Sequence, residues 1–302
     1  FAIEVVAFAD EEGVRFHSLY LGSSSATGTL DPAILDVTDH DGITVRDAIS
    51  GWGFSPNDAL AGELPEHEYI GFVEAHIEQG PRLEAAGIPV GVVSGIVGTQ
   101  RAHLNVTGAA GHAGTVAMPD RHDALTATAE IILAIESLAR DVEHAVATVG
   151  EISVKPAASN VIPGEARISL DLRHPDGGVV DQLYDTIRTQ SAAIAAERGV
   201  DVIWHTGQKV EGMTCDDALT GALAAAIEQA GYPATRLFSG AGHDAAALAR
   251  IMPVSMLFTR CEGGISHNPA EKITTEDAAA TIDVLTRFVD AMAGMQQRPN
   301  MS

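Results

Sequence analysis

The 302-residue sequence predicts an α/β fold: one α/β domain interrupted by an inserted ferredoxin-like domain. Three observations carry this expectation. Strand-like and helix-like segments alternate on both sides of the middle of the chain, as in a sheet covered by helices. The middle itself runs β-α-β-β-α-β, the split βαβ order. The chain opens on an apolar run, Ile3-Glu4-Val5-Val6-Ala7-Phe8-Ala9, that ends in acid at Asp10-Glu11-Glu12. Open α/β sheets gather ligand-binding groups at such strand ends. The boundaries that follow are 1–98 and 211–302 for the two parts of the interrupted domain, and 99–210 for the insertion.

Taken in order, the run 3–9 reads as a buried strand, and a polar loop region extends to residue 65. Strands are expected at 69–77 and 88–97. In the insertion, 101–107 alternates like a strand. Residues 120–140 have helical apolar spacing through Ala124, Leu125, Ala127, Ile131, Ile132, Ile135 and Leu138. Strand-like runs at 145–154 and 165–173 flank a Pro/Asn/Gly loop. A helix over 179–198 stops at Gly199, and a strand spans 200–205. Beyond it come a helix (216–230), a strand (234–238), a helix (244–251), a strand (254–259) and an amphipathic helix (275–295).

Composition narrows the function. Lys and Arg number 18 against 41 Asp and Glu, a formal charge of −23. A field of that sign repels nucleic acid and anionic membranes. No apolar stretch approaches a membrane span and none resembles a signal peptide. Two cysteines are too few for a disulfide framework, so a cytoplasmic protein with a small-molecule substrate is expected.

Four histidine contexts stand out: Glu74-Ala75-His76-Ile77-Glu78-Gln79-Gly80, Gly111-His112-Ala113-Gly114, Gly242-His243-Asp244 and Ser266-His267-Asn268. Three of them fall near strand ends of the domain that carries Glu11 and Glu12. Imidazole and carboxylate donors together suit zinc, manganese, cobalt or nickel. Asp39, His40 and Asp41 sit in the polar loop region and read as solvated.

These segments are similar to those of the metal-dependent amidohydrolases that include allantoate amidohydrolase, N-carbamoyl-L-amino-acid hydrolase and β-ureidopropionase, relatives of aminoacylase and the dinuclear zinc exopeptidases. The resemblance is carried by Phe8-Ala9-Asp10-Glu11-Glu12-Gly13-Val14-Arg15-Phe16, His76-Ile77-Glu78-Gln79-Gly80-Pro81, Gly111-His112-Ala113-Gly114-Thr115 with Met118-Pro119 and Arg121, Ser239-Gly240-Ala241-Gly242-His243-Asp244-Ala245, and Gly264-Ile265-Ser266-His267-Asn268-Pro269-Ala270-Glu271. They occur in the family's order across nearly the whole chain.

The resemblance implies that the interrupted domain is a zinc exopeptidase-like catalytic domain and the insertion a lid and dimerisation domain, and it implies roles for single residues. Glu11 is the general base, and Glu12, His76 and His267 are ligands of divalent zinc or manganese, two ions per complete site. Gln79 holds the ureido or carboxylate end of the substrate. His112 reaches the neighbouring subunit's site and stabilises the oxyanion, in a homodimer paired through the inserted lid domain. Asn160 and Arg173 hold the substrate carboxylate, and His243 lines the same pocket. The sequence starts after the positions of the family's first histidine ligand and its bridging aspartate, so an incomplete metal site is expected. The function implied is hydrolysis of a C–N bond in a linear amide or ureido substrate carrying a carboxylate, allantoate or an N-carbamoyl-L-amino acid, with release of ammonia. Two other readings remain: an inactive, metal-depleted fragment that only dimerises or binds ligand, and an aminoacylase or peptidase of the wider group.

Overall fold

The computed structural model describes residues 1–62, 64 and 69–296. It divides into two compact units, residues 97–212 and the remainder on either side of them.

The first part of the flanking unit holds four short helices, α1 (Leu21–Ala26), α2 (Val45–Gly51), α3 (Asp58–Ala61) and α4 (Arg82–Ala86), and two strands, β1 (Phe72–Ile77) and β2 (Val90–Ile96). Two expectations fail here. Residues 3–9 form no strand and are largely exposed, Val5 at 93%. The run has side-chain contacts at Glu4–Tyr69 (2.6 Å) and Phe8–Phe72. Among the described residues, however, no strand pairs with it; its end is tied instead to α1, where Gly22 N donates to the Ala9 carbonyl at 3.0 Å, and a run without a ladder partner is not a strand. Asp39 is the second correction. It is 8% exposed, not solvated, and accepts hydrogen bonds from Arg15 Nε (2.9 Å) and from the backbone N–H groups of Asp41 and Ile43. It closes a turn beside the small core of Phe16, Leu35 and Val45.

The inner unit contains β3 (Gly98–Thr107), β4 (Gly111–His112), α5 (Ala124–Arg140), β5 (Val146–Thr148), β6 (Ile152–Lys155), β7 (Val161–Ile162), β8 (Glu165–His174), α6 (Gly177–Arg198) and β9 (Asp201–Val210). Its antiparallel sheet has the order β5-β8-β3-β9, with β6 also on β8. Alternate residues of β3 and β8 face the two helices. Leu104, Val106, Ile168 and Leu172 pack there against Ile131, Ile135 and Ile187. The helices start where the sequence supplies caps: Asp123 accepts from Leu125 N and Thr126 N, and Asp176 accepts from Gly178 N and Val179 N. Gly199 in the left-handed region ends α6. Leu104 is 1% exposed at the centre of this core. Leu104→Ala is expected to cost about 2–5 kcal/mol, read as a lower midpoint in urea unfolding.

The chain then returns to the flanking unit with β10 (Met213–Thr214), α7 (Asp217–Gln229), β11 (Arg236–Ser239), α8 (Ala245–Leu248), β12 (Val254–Thr259) and α9 (Thr275–Gln296). The sheet order is β1-β12-β2-β10, with β11 beside β2. β1 runs parallel to β12, and β12 antiparallel to β2. Every residue of β12 is buried, as in a sheet covered on both faces. Val90, Val92 and Leu257 face α7 and α9. Val93, Met256 and Phe258 face the other way, toward α8 and Tyr20. Among the described residues no helix is long and apolar enough to cross a membrane.

Candidate active site

The face of the sheet turned away from α7 and α9 gathers acidic and imidazole side chains. Glu74 and His76 lie two residues apart on β1, in register with Met256 and Phe258 of β12, so both side chains leave on that face. The segment after β11 returns over it. His243, fully buried, meets His76 edge-on at 4.5 Å between ring centroids and Phe258 at 5.9 Å. Its Nδ1 lies 3.8 Å from Glu74 Oε1. Among the described residues, Glu74, His76 and His243 form the one group of three side chains whose donor atoms all lie within 4.8 Å of one another and could hold a metal ion. The site thus forms on the sheet face, and not only beyond the strand ends where the sequence predicts it.

Hydrogen bonds fix the two rings. His76 Nδ1 donates to the Ile77 carbonyl at 2.9 Å, which leaves Nε2 with its lone pair. Ser239 Oγ lies 2.5 Å from His243 Nε2 and 3.1 Å from the Ala241 carbonyl. His243 Nδ1 is buried and has no hydrogen-bond partner. Burial, with His76 beside it, lowers the His243 pKa to about 3, so the ring is neutral.

Carboxylates crowd round this group. Burial raises Glu74 to about 7, against one hydrogen bond from Ala245 N, and the charges of Asp244 and Glu11 add to the rise. Glu11 is likewise raised to about 7 by burial, Asp244 and Glu12. Asp244 is raised by burial. The Tyr20 hydroxyl, pushed up to about 12 by burial and by Glu11, Asp244 and Glu74, stays protonated. Gly242 allows this approach, because a Cβ there would strike the Tyr20 hydroxyl.

Glu12 and His267 form a second pair, Oε1 to Nε2 at 3.3 Å, both side chains more than half exposed. Gln79 joins the same loop region by donating Nε2–H to Ser266 Oγ at 2.9 Å. Gly264 makes the seating possible: a Cβ there would collide with the Gly80–Pro81 backbone. Gln79 and His267 both adopt φ of 55°. That conformation costs an L residue about 1–2 kcal/mol and has to be held by its surroundings.

In the inner unit, His112 is exposed and its Nδ1 accepts from Gly114 N at 3.0 Å, so a neutral ring carries its proton on Nε2. Asn160 is its neighbour through the β4–β7 pair, its carbonyl accepting from Ala113 N. Arg121 braces the turn by donating to the Ala113 and Val116 carbonyls. Arg173 is gripped by Asp171, Nε to Oδ1 at 2.6 Å and a terminal nitrogen to Oδ2 at 2.9 Å.

A titration follows from Glu11. Its carboxyl ionises near 7 in the folded chain against 4.5 ordinarily, so between those values the folded state holds more protons than the unfolded one. Metal-free protein is expected to lose stability relative to Glu11→Gln as pH rises from about 4.5 to 7, with a constant difference above that. Urea unfolding of both proteins across this range checks the sign.

The model of peptidase family M20/M25/M40 matches residues 1–291. The chain belongs to this family. It is 40% identical over 291 residues to an N-carbamoyl-L-amino acid amidohydrolase of Geobacillus stearothermophilus, covering 96% of this chain and 71% of that protein. It is 38% identical over 329 residues to a probable allantoate deiminase of Oryza sativa subsp. japonica, covering 96% and 66%. A crystal structure of a hydantoinase/carbamoylase-family amidase from Burkholderia multivorans superposes with a TM-score of 0.86 at 35% identity, covering 93% of this chain and 68% of that one. The chain therefore spans about two thirds of its relatives' length. Within this M20/M25/M40 member, sequence reasoning passed over Glu74, Asp244, Tyr20 and Ser239. For Glu74 a signal existed: an acid two residues before a strand histidine shares its face. For the others, only the folded loops bring them near.

Proposed function

We propose that the protein hydrolyses a C–N bond of a linear ureido or amide substrate bearing a carboxylate, an N-carbamoyl-L-amino acid or allantoate, with release of ammonia. The observation that carries this reading is the half-buried Glu11, titrating near 7 next to Glu12, which pairs with His267, and within the electrostatic reach of Glu74. The donor chemistry suits divalent zinc or manganese: carboxylates and imidazoles, one of them with a buried nitrogen that has no hydrogen-bond partner. Glu12, His76 and His267 would hold the ions. When bound, they supply Lewis-acid polarisation of the substrate carbonyl and of water.

The chain's own groups do the rest. Glu11 takes the proton of the attacking water on a carboxylate oxygen and returns it to the leaving nitrogen, a task suited to a pKa near 7. His112, with Nε2–H as donor, stabilises the oxyanion across a homodimer formed by the inner unit. Gln79 holds the ureido end, its side chain aligned by Ser266. Arg173 and Asn160 bind the substrate carboxylate. Asp171 orients the guanidinium fork for that planar contact. His243 borders the pocket. Cys215 and Cys261, both free and buried, suit a reducing cytoplasm.

The test is ammonia release from N-carbamoyl-L-amino acids and allantoate, set against release of acid or amine from N-acetyl amino acids and dipeptides. It is run on this chain and on the chain with any residues its gene encodes upstream. Turnover of the ureido substrates alone is expected. Turnover of the acetyl or peptide substrates alone would place the protein with aminoacylases or peptidases.

A further inference from the structure

We propose that Ser266 is a positioning residue that sets the substrate class. By taking the Nε2–H of Gln79 it leaves the Gln79 carbonyl oxygen, Oε1, to meet the substrate, where it binds the terminal –NH2 of a carbamoyl group and disfavours an N-acetyl group. The proposal rests on the hydrolase reading, in which Gln79 holds the ureido end. It adds the atom that does so and the residue that orients it.

Neighbouring strands bring the pair together across 187 residues of chain. β1 and β12 run parallel and in register through Ile77 and Thr259, so the loops that follow them leave the same end of the sheet, where ligand groups of α/β sheets gather. Glu78 N donates to the Thr259 carbonyl at 2.9 Å. The loop after β1 is then pinned on both sides of Gln79. The Glu78 carboxylate accepts from Arg82 N and Leu83 N, each at 2.8 Å, and the Gly80 carbonyl accepts from Cys261 Sγ at 3.8 Å. The loop after β12 is pinned on both sides of Ser266. Ile265 N donates to the Glu262 carbonyl at 3.3 Å, and His267 N to Glu271 Oε2 at 3.1 Å. With both backbones held, the terminal amide of Gln79 exchanges its ends by rotation about a soft last torsion. The hydroxyl of Ser266, at 2.9 Å from Nε2, decides which end is tied and which is left.

That choice has a chemical consequence. A primary amide offers an acceptor at one end and a donor at the other. With Nε2–H on Ser266, Oε1 has no donor bonded to it among the described residues. The carbamoyl and acetyl forms of an amino acid differ at one group, –NH2 against –CH3, and carry the same carbonyl oxygen. An N–H from Gln79 would bind that shared oxygen and treat the two alike. An acceptor separates them: it bonds the –NH2, and against the methyl it gives up water for nothing. The orientation imposed by Ser266 is the one that discriminates.

The experiment measures, by calorimetry with Zn(II) or Mn(II) present, dissociation constants for the N-carbamoyl and N-acetyl forms of one L-amino acid. All proteins carry Glu11→Gln, so that substrate is held without being consumed, and Ser266→Ala and Gln79→Met are added singly and together as a double-mutant cycle. Preference for the carbamoyl form is expected with Ser266 and Gln79 in place. Ser266→Ala should lower it about tenfold, chiefly by weaker carbamoyl binding, with metal content unchanged, and Ser266→Thr should restore it. Gln79→Met should lower the preference at least as far, and Ser266→Ala should then lower it no more. A residue that merely holds its loop would weaken both ligands alike. A preference unmoved by Ser266→Ala would therefore overturn the proposal, as would an equal further fall in the Gln79→Met background. Either result beside ammonia release by the Glu11 protein leaves the hydrolase reading standing. The expected preferences without ammonia release would overturn the hydrolase reading and keep the positioning role, and no binding of the carbamoyl form would overturn both.

Discussion

In the chain with any residues its gene encodes upstream, Glu11→Gln is expected to keep its metal content and to lose about two to four powers of ten in kcat, with KM little changed. The carboxylate sits where two demands meet. Burial and the charges of Asp244 and Glu12 bring its pKa to about 7, so at neutral pH it is ionised in a good fraction of molecules and holds a proton firmly once it has one. Gln keeps the shape and removes the proton transfer. Metal analysis beside steady-state kinetics separates the two possible roles. Loss of metal in proportion to activity would make Glu11 a ligand instead of a base.

The second large effect concerns His112. Its Nδ1 is occupied by Gly114 N, which presents Nε2–H as donor on an exposed turn braced by Arg121. His112→Ala is expected to lower kcat by about 10²–10³, the usual loss when one oxyanion donor is removed. If the ring acts on the partner's site, a mixture of His112→Ala and Glu11→Gln chains recovers activity. Random exchange makes half the dimers mixed, and each holds one intact composite site, so about a quarter of wild-type activity should return. A mixture no more active than its parents, with exchange confirmed by mass spectrometry, would show that His112 serves its own chain or none.

Much of the fold was legible because burial leaves a period in the sequence. Alternation in β3 and β8 and the apolar spacing of α5 gave the β-α-β-β-α-β order, and Gly199 marked the end of α6. The short, mostly apolar run of β12 marked a strand, and the structure buries it on both faces. The 3–9 segment has the same apolar character and forms no strand, since pairing is a property of the neighbour and no periodicity encodes the neighbour. The 244–251 helix contracts to Ala245–Leu248, followed by a turn that ends before Pro253. At the site, residues such as Glu11, Glu12, His76 and His267 stood out because acids and imidazoles are costly near a core and draw the eye. Asp39 drew it too, and proves to close a turn through Arg15 and backbone N–H groups. Glu74 meets Ala245 across 171 residues of chain, and Ser239 and Tyr20 act through loops that fold back, so no local spacing points to these contacts.

The measurement that bears most directly on the hydrolase reading is ammonia release from an N-carbamoyl-L-amino acid by metal-stripped protein, before and after addition of Zn(II) or Mn(II). Stripped protein is expected to release none, with release restored by one of the two ions and abolished by Glu11→Gln. Equal release with and without metal, or restored release that survives Glu11→Gln undiminished, would contradict it.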